Sequence, residues 1–100
     1  MAYEAGALEA TLHAAAGGDP KLFAELRDAY VDGVARQIDL LERSRCDANW
    51  EVAAMRLKGL AASFHSEALL RLAEEALEGA PGDPAVVRRL NAYVTELSAR

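Results

Sequence analysis

The sequence predicts an all-α protein, an up-and-down antiparallel four-helix bundle with a short extra N-terminal helix. Alanine and leucine dominate a composition that is 52% hydrophobic, and apolar residues recur every three or four positions between short polar breaks. No segment competes as a strand by alternating polar and apolar residues. Because the breaks are short, neighbouring helices should run antiparallel. A chain of 100 residues is expected to form a single domain, 1–100.

Two similar breaks mark the starts of helices. The segments "GGDPKL" at 17–22 and "PGDPAV" at 81–86 each place an aspartate directly before a proline. The aspartate side chain can accept hydrogen bonds from the free N–H groups of the first turn, where the missing N–H of proline does no harm. We therefore expect helices to begin at Pro20 and Pro84.

The apolar spacing between the breaks predicts five helices, at about 4–16, 20–45, 49–64, 67–78 and 84–98. Weaker breaks lie at "CDANW" (46–50) and "HSE" (65–67), and Gly79 followed by Pro81 ends the fourth helix. The apolar positions of the five helices are, in order, Leu8 and Leu12; Leu22, Leu26, Tyr30, Val34, Ile38 and Leu41; Trp50, Ala53, Leu57, Ala61 and Phe64; Leu69, Leu72, Ala73 and Ala76; and Val87, Leu90, Val94 and Leu97.

Charge and hydropathy narrow the classes of partner. Sixteen acidic and 11 basic side chains give a formal net charge of -5, and no cluster of Lys or Arg could follow a phosphate backbone, so nucleic acid is not an expected partner. No apolar run approaches the ~18 residues that cross a bilayer, and the start "MAYEAGALEA" lacks a basic segment followed by an apolar core. A cytoplasmic protein is expected.

The cysteine and histidine residues do not suggest a cofactor or a metal. Cys46 is the only cysteine, so neither an internal disulfide nor a Cys-based zinc site is possible, and we expect a small side chain at a helix end rather than a reactive thiol. His13 and His65 are far apart in sequence, without clustered carboxylates beside them. His13 is expected to be a surface residue.

The third predicted helix carries a glycine in its interior, within "MRLKGLAASFH" at 55–65. Such a glycine costs roughly 1 kcal/mol against alanine, so Gly59 should serve a purpose. At about 100° per residue, the side of the helix away from the core carries Met55, Lys58, Gly59 and Ala62. Gly59 either exposes backbone to a protein partner, with Lys58 meeting a carboxylate or phosphoryl group, or lets the first helix pack closely.

The same eleven residues resemble the motif of the histidine phosphotransfer (HPt) domain family. That family is a four-helix bundle whose third helix carries His-x-Leu-Lys-Gly-Ser, followed by small residues and a glycine. Leu57, Lys58 and Gly59 match the centre of the motif, and residues 61–64 are similar to its continuation. With the preceding helix, the turn with a tryptophan and the following helix, the resemblance covers roughly residues 19–98. It implies an HPt-like bundle.

Three departures from the motif change the implied function. Met55 stands where the family has its phosphoacceptor histidine, Leu60 replaces the serine and His65 replaces the later glycine. A thioether cannot carry a transferable phosphoryl group, whereas imidazole can. His65 lies about 15 Å further along the helix axis and could take the acceptor's place only if the helix end were remodelled. No catalytic residue and no enzymatic activity are therefore expected.

The resemblance with these departures implies a non-phosphorylated HPt-like module of a bacterial two-component phosphorelay. Such a module would bind a response-regulator receiver domain or a histidine kinase as an adaptor, competitor or inhibitor. The expected partner-binding residues are Met55, Arg56, Lys58, Gly59, Ala62 and His65. Two alternatives stay open: an active phosphotransferase that uses His65, and a structural homodimer formed through Met55 and Leu60. A monomer is expected in preference to a homodimer.

Overall fold

Five α-helices make up most of the computed structural model, which describes residues 2–99 and the side chains of residues 6–99. The helices are α1 (Ala2–Ala16), α2 (Pro20–Glu42), α3 (Asp47–Phe64), α4 (Glu67–Glu78) and α5 (Pro84–Ser98). No strand occurs among residues 2–99, so the prediction of an all-α protein is confirmed.

Side-chain caps form at three helix starts, and two of them are the predicted aspartate caps. The Asp19 carboxylate accepts a hydrogen bond of 3.0 Å from the Lys21 N–H at the start of α2. Asp83 does the same for Ala85 at 2.9 Å, and the Ser66 hydroxyl accepts from the Leu69 N–H at 3.2 Å at the start of α4. Each bond satisfies a donor that has no partner within its helix.

The turn between α2 and α3 lies earlier than predicted. Helix α2 ends at Glu42 rather than near residue 45, because the Ser44 hydroxyl donates to the Leu41 carbonyl at 2.8 Å and its N–H donates to the same oxygen at 3.2 Å. Helix α3 begins at Asp47 rather than near residue 49, with Cys46 as its N-cap. The predicted break at "CDANW" is therefore already helix from Asp47 onward.

Helices α2 to α5 enclose the core. Helices α2 and α4 each pack against α3 and α5, so the four helices surround a common core. Helix α1 packs mainly on α2. Nearly all predicted apolar positions are buried or partly buried, but Leu22 is 38% exposed in the first turn of α2. The buried residues are Leu8, Leu12, Ala16, Tyr30, Val34, Ile38, Leu41, Trp50, Ala53, Ala54, Leu57, Ala61, Leu69, Ala73, Ala76, Val86, Val87, Leu90 and Leu97.

Side-chain hydrogen bonds fix the rotation of α3 and the turn after it. The Trp50 indole N–H donates to the Ala76 carbonyl of α4 at 2.9 Å, where the end of α4 leaves that oxygen without a helical partner. The Tyr93 hydroxyl of α5 lies 2.8 Å from that of Tyr30 and 2.9 Å from that of Ser66. Since the inner side of α3 is held in this way, its outer side is fixed as well.

Helix α1 is attached to α2 by an aromatic contact that the sequence did not predict. His13 is exposed, as expected, and its ring stacks on Phe23 with 4.0 Å between the ring centroids. Leu8 and Leu12 are buried below it. None of the helices within residues 2–99 has the length and apolar character that a membrane span requires.

Candidate functional site

The outer side of α3 centres on Met55, whose side chain is 53% exposed. One turn of helix separates it from Gly59, which is exposed too, whereas Leu57 and Ala61 are buried. This division follows from the helical spacing, since positions four apart share a face and positions two apart lie on opposite sides. The predicted orientation of Met55 and Gly59 is thus confirmed.

Gly59 does not serve close packing of helices. A Cβ atom built at Gly59 would meet no atom within 4 Å outside its own helical turn. The explanation that Gly59 admits α1 is therefore wrong, because the space that a side chain would fill is open. What the glycine leaves bare is a strip of α3 backbone facing solvent.

This backbone strip forms one wall of a groove between α2 and α3, which we name the Gly33–Gly59 groove. Its volume is about 470 Å³. Its lining residues are Gly33, Arg36 and Gln37 from α2 and Arg56, Gly59, Leu60, Ser63 and Phe64 from α3. Gly33 faces open space in the same way as Gly59, so the missing side chains of both glycines keep the groove open.

The positive charge beside Gly59 comes from arginines rather than from Lys58. The Lys58 ammonium lies 3.9 Å from a carboxylate oxygen of Glu74 on α4, on the other flank of α3. Arg36 and Arg56 both line the Gly33–Gly59 groove, and neither forms an ion pair with any of the described residues. The expectation that Lys58 borders the depression at Gly59 is therefore wrong, because Arg36 and Arg56 line the groove there and Lys58 does not.

A second hollow continues along the same two helices, and Arg56 borders both. We name it the Leu40–Val52 hollow; its lining residues are Leu40, Arg43, Ser44, Asn49, Val52, Ala53 and Arg56. Leu40 is 38% and Val52 48% exposed, so two large apolar side chains face solvent at this hollow. With Met55, they make the outer side of the α2–α3 pair partly apolar.

Ala62 and His65 lie on the flank of α3 that faces away from Arg56. Together with Ala7 of α1 and Glu67 and Leu70 of α4, they line a separate pocket at the end of α3. The six expected partner-binding residues therefore do not form one pocket. Arg56 and Gly59 belong to the Gly33–Gly59 groove, Ala62 and His65 to the pocket near α1, and Met55 and Lys58 to neither set of lining residues.

His65 ends α3 with an unusual backbone conformation. Its φ of 60° and ψ of 41° are left-handed, and it is the one non-glycine residue with positive φ in the described part of the chain. The N–H of Ser66 then reaches the Ala61 carbonyl at 2.9 Å, the bond that closes a Schellman-type helix end. His65 is exposed and belongs to the pocket near α1.

Sequence analysis missed the contribution of α2 to this surface. Gly33, Arg36, Gln37 and Leu40 follow the spacing of one helix face, but three of the four are not apolar, and a search for apolar stripes passes over them. Chemically, the surface offers guanidinium, amide and hydroxyl donors beside apolar carbon, with a thioether at its centre. No group of three metal-ligating side chains was found among the described residues.

Comparisons of the chain with family models, with curated proteins and with solved structures give no match.

Proposed function

We propose that this chain is an HPt-like module that binds a receiver domain or a histidine kinase and carries no phosphate itself. In this proposal α2 to α5 are the up-and-down four-helix bundle and α1 is the extra N-terminal helix. The observation that carries the proposal is the exposure of Met55, which is 53% exposed, at the position that the resemblance gives to the phosphoacceptor histidine. A buried side chain there would have ended the likeness.

The backbone at the end of α3 supports the same alignment. His65 corresponds to the family's later glycine, and its backbone is left-handed, with a φ of 60°. That conformation strongly favours glycine, which has no Cβ to clash with the backbone. A position that is conformationally suited to glycine therefore falls where the family has one.

The surface chemistry favours binding over phosphotransfer. A phosphoryl acceptor needs a nucleophilic lone pair that forms a stable transferable bond, which the Met55 thioether does not provide. Methionine is, however, an adaptable apolar contact residue. A partner that recognises the outer side of α3 can therefore dock without a reaction, and its binding does not depend on phosphorylation of this chain.

The test measures binding to purified receiver domains and histidine kinases from the source organism. We expect at least one partner to bind at micromolar concentration, and Gly59→Arg or Lys58→Glu to weaken that binding by about tenfold or more. Matched controls are Gly6→Arg, another helical glycine facing open space, and Arg88→Glu, a charge reversal at an exposed position. Circular dichroism should show equal helicity in all variants.

Failure of every receiver and kinase to bind would contradict the proposal. Equal loss of binding in the control variants would contradict the assignment of the surface.

A structural homodimer is the second candidate, and one observation favours it. Leu40, Val52 and Met55 are three of the four exposed large apolar side chains among the described residues, and all three lie along the α2–α3 pair. Apolar side chains concentrated on one side of a small protein often mark a contact surface. The mass of the protein in solution, discussed below, separates this candidate from the first.

A further inference from the structure

The polar groups of the Gly33–Gly59 groove point to an anionic ligand. Two guanidinium groups and the Ser63 hydroxyl line it, and no Asp or Glu does. Gln37 lines the groove too, and its buried amide oxygen has no hydrogen-bond partner among the described residues. The two guanidinium groups can only donate hydrogen bonds, so a ligand that is complementary to them supplies acceptors.

The charge of the groove contrasts with the charge of the whole chain. The formal net charge is -5, yet Arg36 and Arg56 line one groove, and neither is in an ion pair with a described residue. Fixing two like charges near each other is unfavourable unless solvent or a counter-charge compensates. A carboxylate suits both arginines, because a guanidinium presents a planar fork of donors that matches it.

The apolar surface beside the groove favours a ligand whose carboxylate is part of a peptide. Leu60 and Phe64 form the apolar part of the groove itself, and Arg56 also borders the Leu40–Val52 hollow. A free anion would use only the arginines. A peptide with acidic and apolar side chains uses both surfaces, since the apolar residues gain from leaving water.

We propose that the Gly33–Gly59 groove binds an acidic peptide segment of a protein partner. A carboxylate of the segment pairs with Arg36 and Arg56, and a neighbouring apolar side chain lies on the Leu40–Val52 hollow. This inference goes beyond the proposed function, because it does not require the partner to be a receiver domain or a kinase.

The experiment selects binders of the full chain from a library of short random peptides. We expect the recovered peptides to contain Asp or Glu next to Leu, Ile or Phe. In NMR spectra of the labelled protein, the best of these peptides should shift the backbone amide signals of Gly33 and Gly59 and leave that of Gly82 unchanged. Glycine amides are suitable reporters because two of them lie in the groove walls.

Substitutions then test the roles of the arginines and of the open space. Arg36→Ala and Arg56→Ala should each weaken peptide binding by about tenfold, as expected for loss of a charge-assisted hydrogen bond, while Arg88→Ala has no effect. Gly33→Leu should fill the groove and abolish binding, with Gly6→Leu as the matched control because both glycines face open space. Peptide with Gln in place of Asp or Glu should bind as weakly as the arginine variants do.

Several results would overturn the inference. The selection could recover no peptides, or only peptides without acidic residues. The amide shifts could be confined to other parts of the chain, or the peptides could bind the wild type and the arginine variants equally. Phosphate that binds the groove as tightly as the peptides would overturn the choice of a peptide. Full peptide binding by the Arg36→Ala, Arg56→Ala double variant would sink this inference, and a receiver domain that still binds that variant would leave the proposed function standing.

Discussion

Gly59 and His65 each occupy a backbone position that another residue would fill at lower free energy. Gly59 lies inside α3 with open space where a Cβ would be, so alanine fits there. His65 has the left-handed conformation for which glycine is suited. A helix selected for stability alone would carry alanine at the first position and glycine at the second. Both residues border surface cavities on the outer flanks of α3, and we interpret the lost stability as a cost of the surface they shape.

Gly59→Ala should raise the free energy of unfolding by about 0.5–1 kcal/mol, because alanine restricts the unfolded chain and meets no neighbour in the folded one. Urea denaturation monitored by circular dichroism measures the change. Gly6→Ala is the matched control and should stabilise by a similar amount, since that glycine also faces open space in a helix. A loss of stability in Gly59→Ala would show that the glycine is needed for packing.

His65→Gly should also stabilise the protein, by about 0.5–1 kcal/mol, because it removes the steric clash of a Cβ in the left-handed region. The control is Ser63→Gly, two residues earlier in regular helix, which should destabilise by a similar amount. Both variants introduce glycine, and the two positions differ in backbone conformation. If both destabilise, the left-handed end of α3 is not formed in solution.

At the scale of the elements, the sequence predicts a helix boundary best where a residue at that boundary caps or ends the helix. The Asp-Pro pairs at 19–20 and 83–84 mark the starts of α2 and α5 at the residues observed. The end of α2 was missed because no glycine or proline marks it, and the chain leaves the helix through hydrogen bonds of Ser44. The left-handed end at His65 was not predicted either, because histidine, unlike glycine, does not indicate that conformation.

The groove between α2 and α3 could not be predicted from the sequence, for a different reason. Gly59 and Arg56 could be assigned to the outer side of α3 from spacing alone. Which residues of α2 face them depends on how the two helices pack, and Arg36 and Gln37 have no pattern of their own. Spacing within one helix thus predicts a face, and only tertiary packing assembles two faces into a site.

The hydroxyl groups of α2, α5 and the α3–α4 turn provide a test of how these elements are joined. Tyr93→Phe removes the group that contacts both Tyr30 and Ser66, so we expect a loss of about 1–2 kcal/mol in the free energy of unfolding. Denaturation of Tyr93→Phe, Tyr30→Phe and the double variant measures the coupling. The double variant should lose less than the two single variants together. Strict additivity would mean that the two hydroxyls do not interact.

At the scale of the whole molecule, the charges are distributed unevenly. An acidic chain with a net charge of -5 presents two unpaired arginines, three exposed large apolar side chains and a bare glycine strip along the α2–α3 pair. By contrast, Arg71 and Arg89 are engaged by Glu67 and Glu75. The α2–α3 pair therefore combines cationic, apolar and bare backbone groups on one part of the described surface.

The mass in solution tests whether that surface is occupied by a second copy. We expect sedimentation equilibrium to give the mass of one chain, 10.7 kDa, for the wild type and for Met55→Glu alike. A charge placed at a position that is 53% exposed should leave the fold intact. If the wild type has twice the mass of one chain and Met55→Glu returns it to one, the homodimer is the better account.

The central claim is that the outer side of α3 is an HPt-like docking surface from which the reacting group has been lost. Phosphoryl transfer from labelled, phosphorylated receiver domains to wild type and to Met55→His tests it most directly. The account predicts no label on the wild type and acid-labile, base-stable label on Met55→His, because the substitution returns an imidazole to the exposed position. Label on the wild type that His65→Ala removes, or a Met55→His variant that no receiver can phosphorylate, would contradict it.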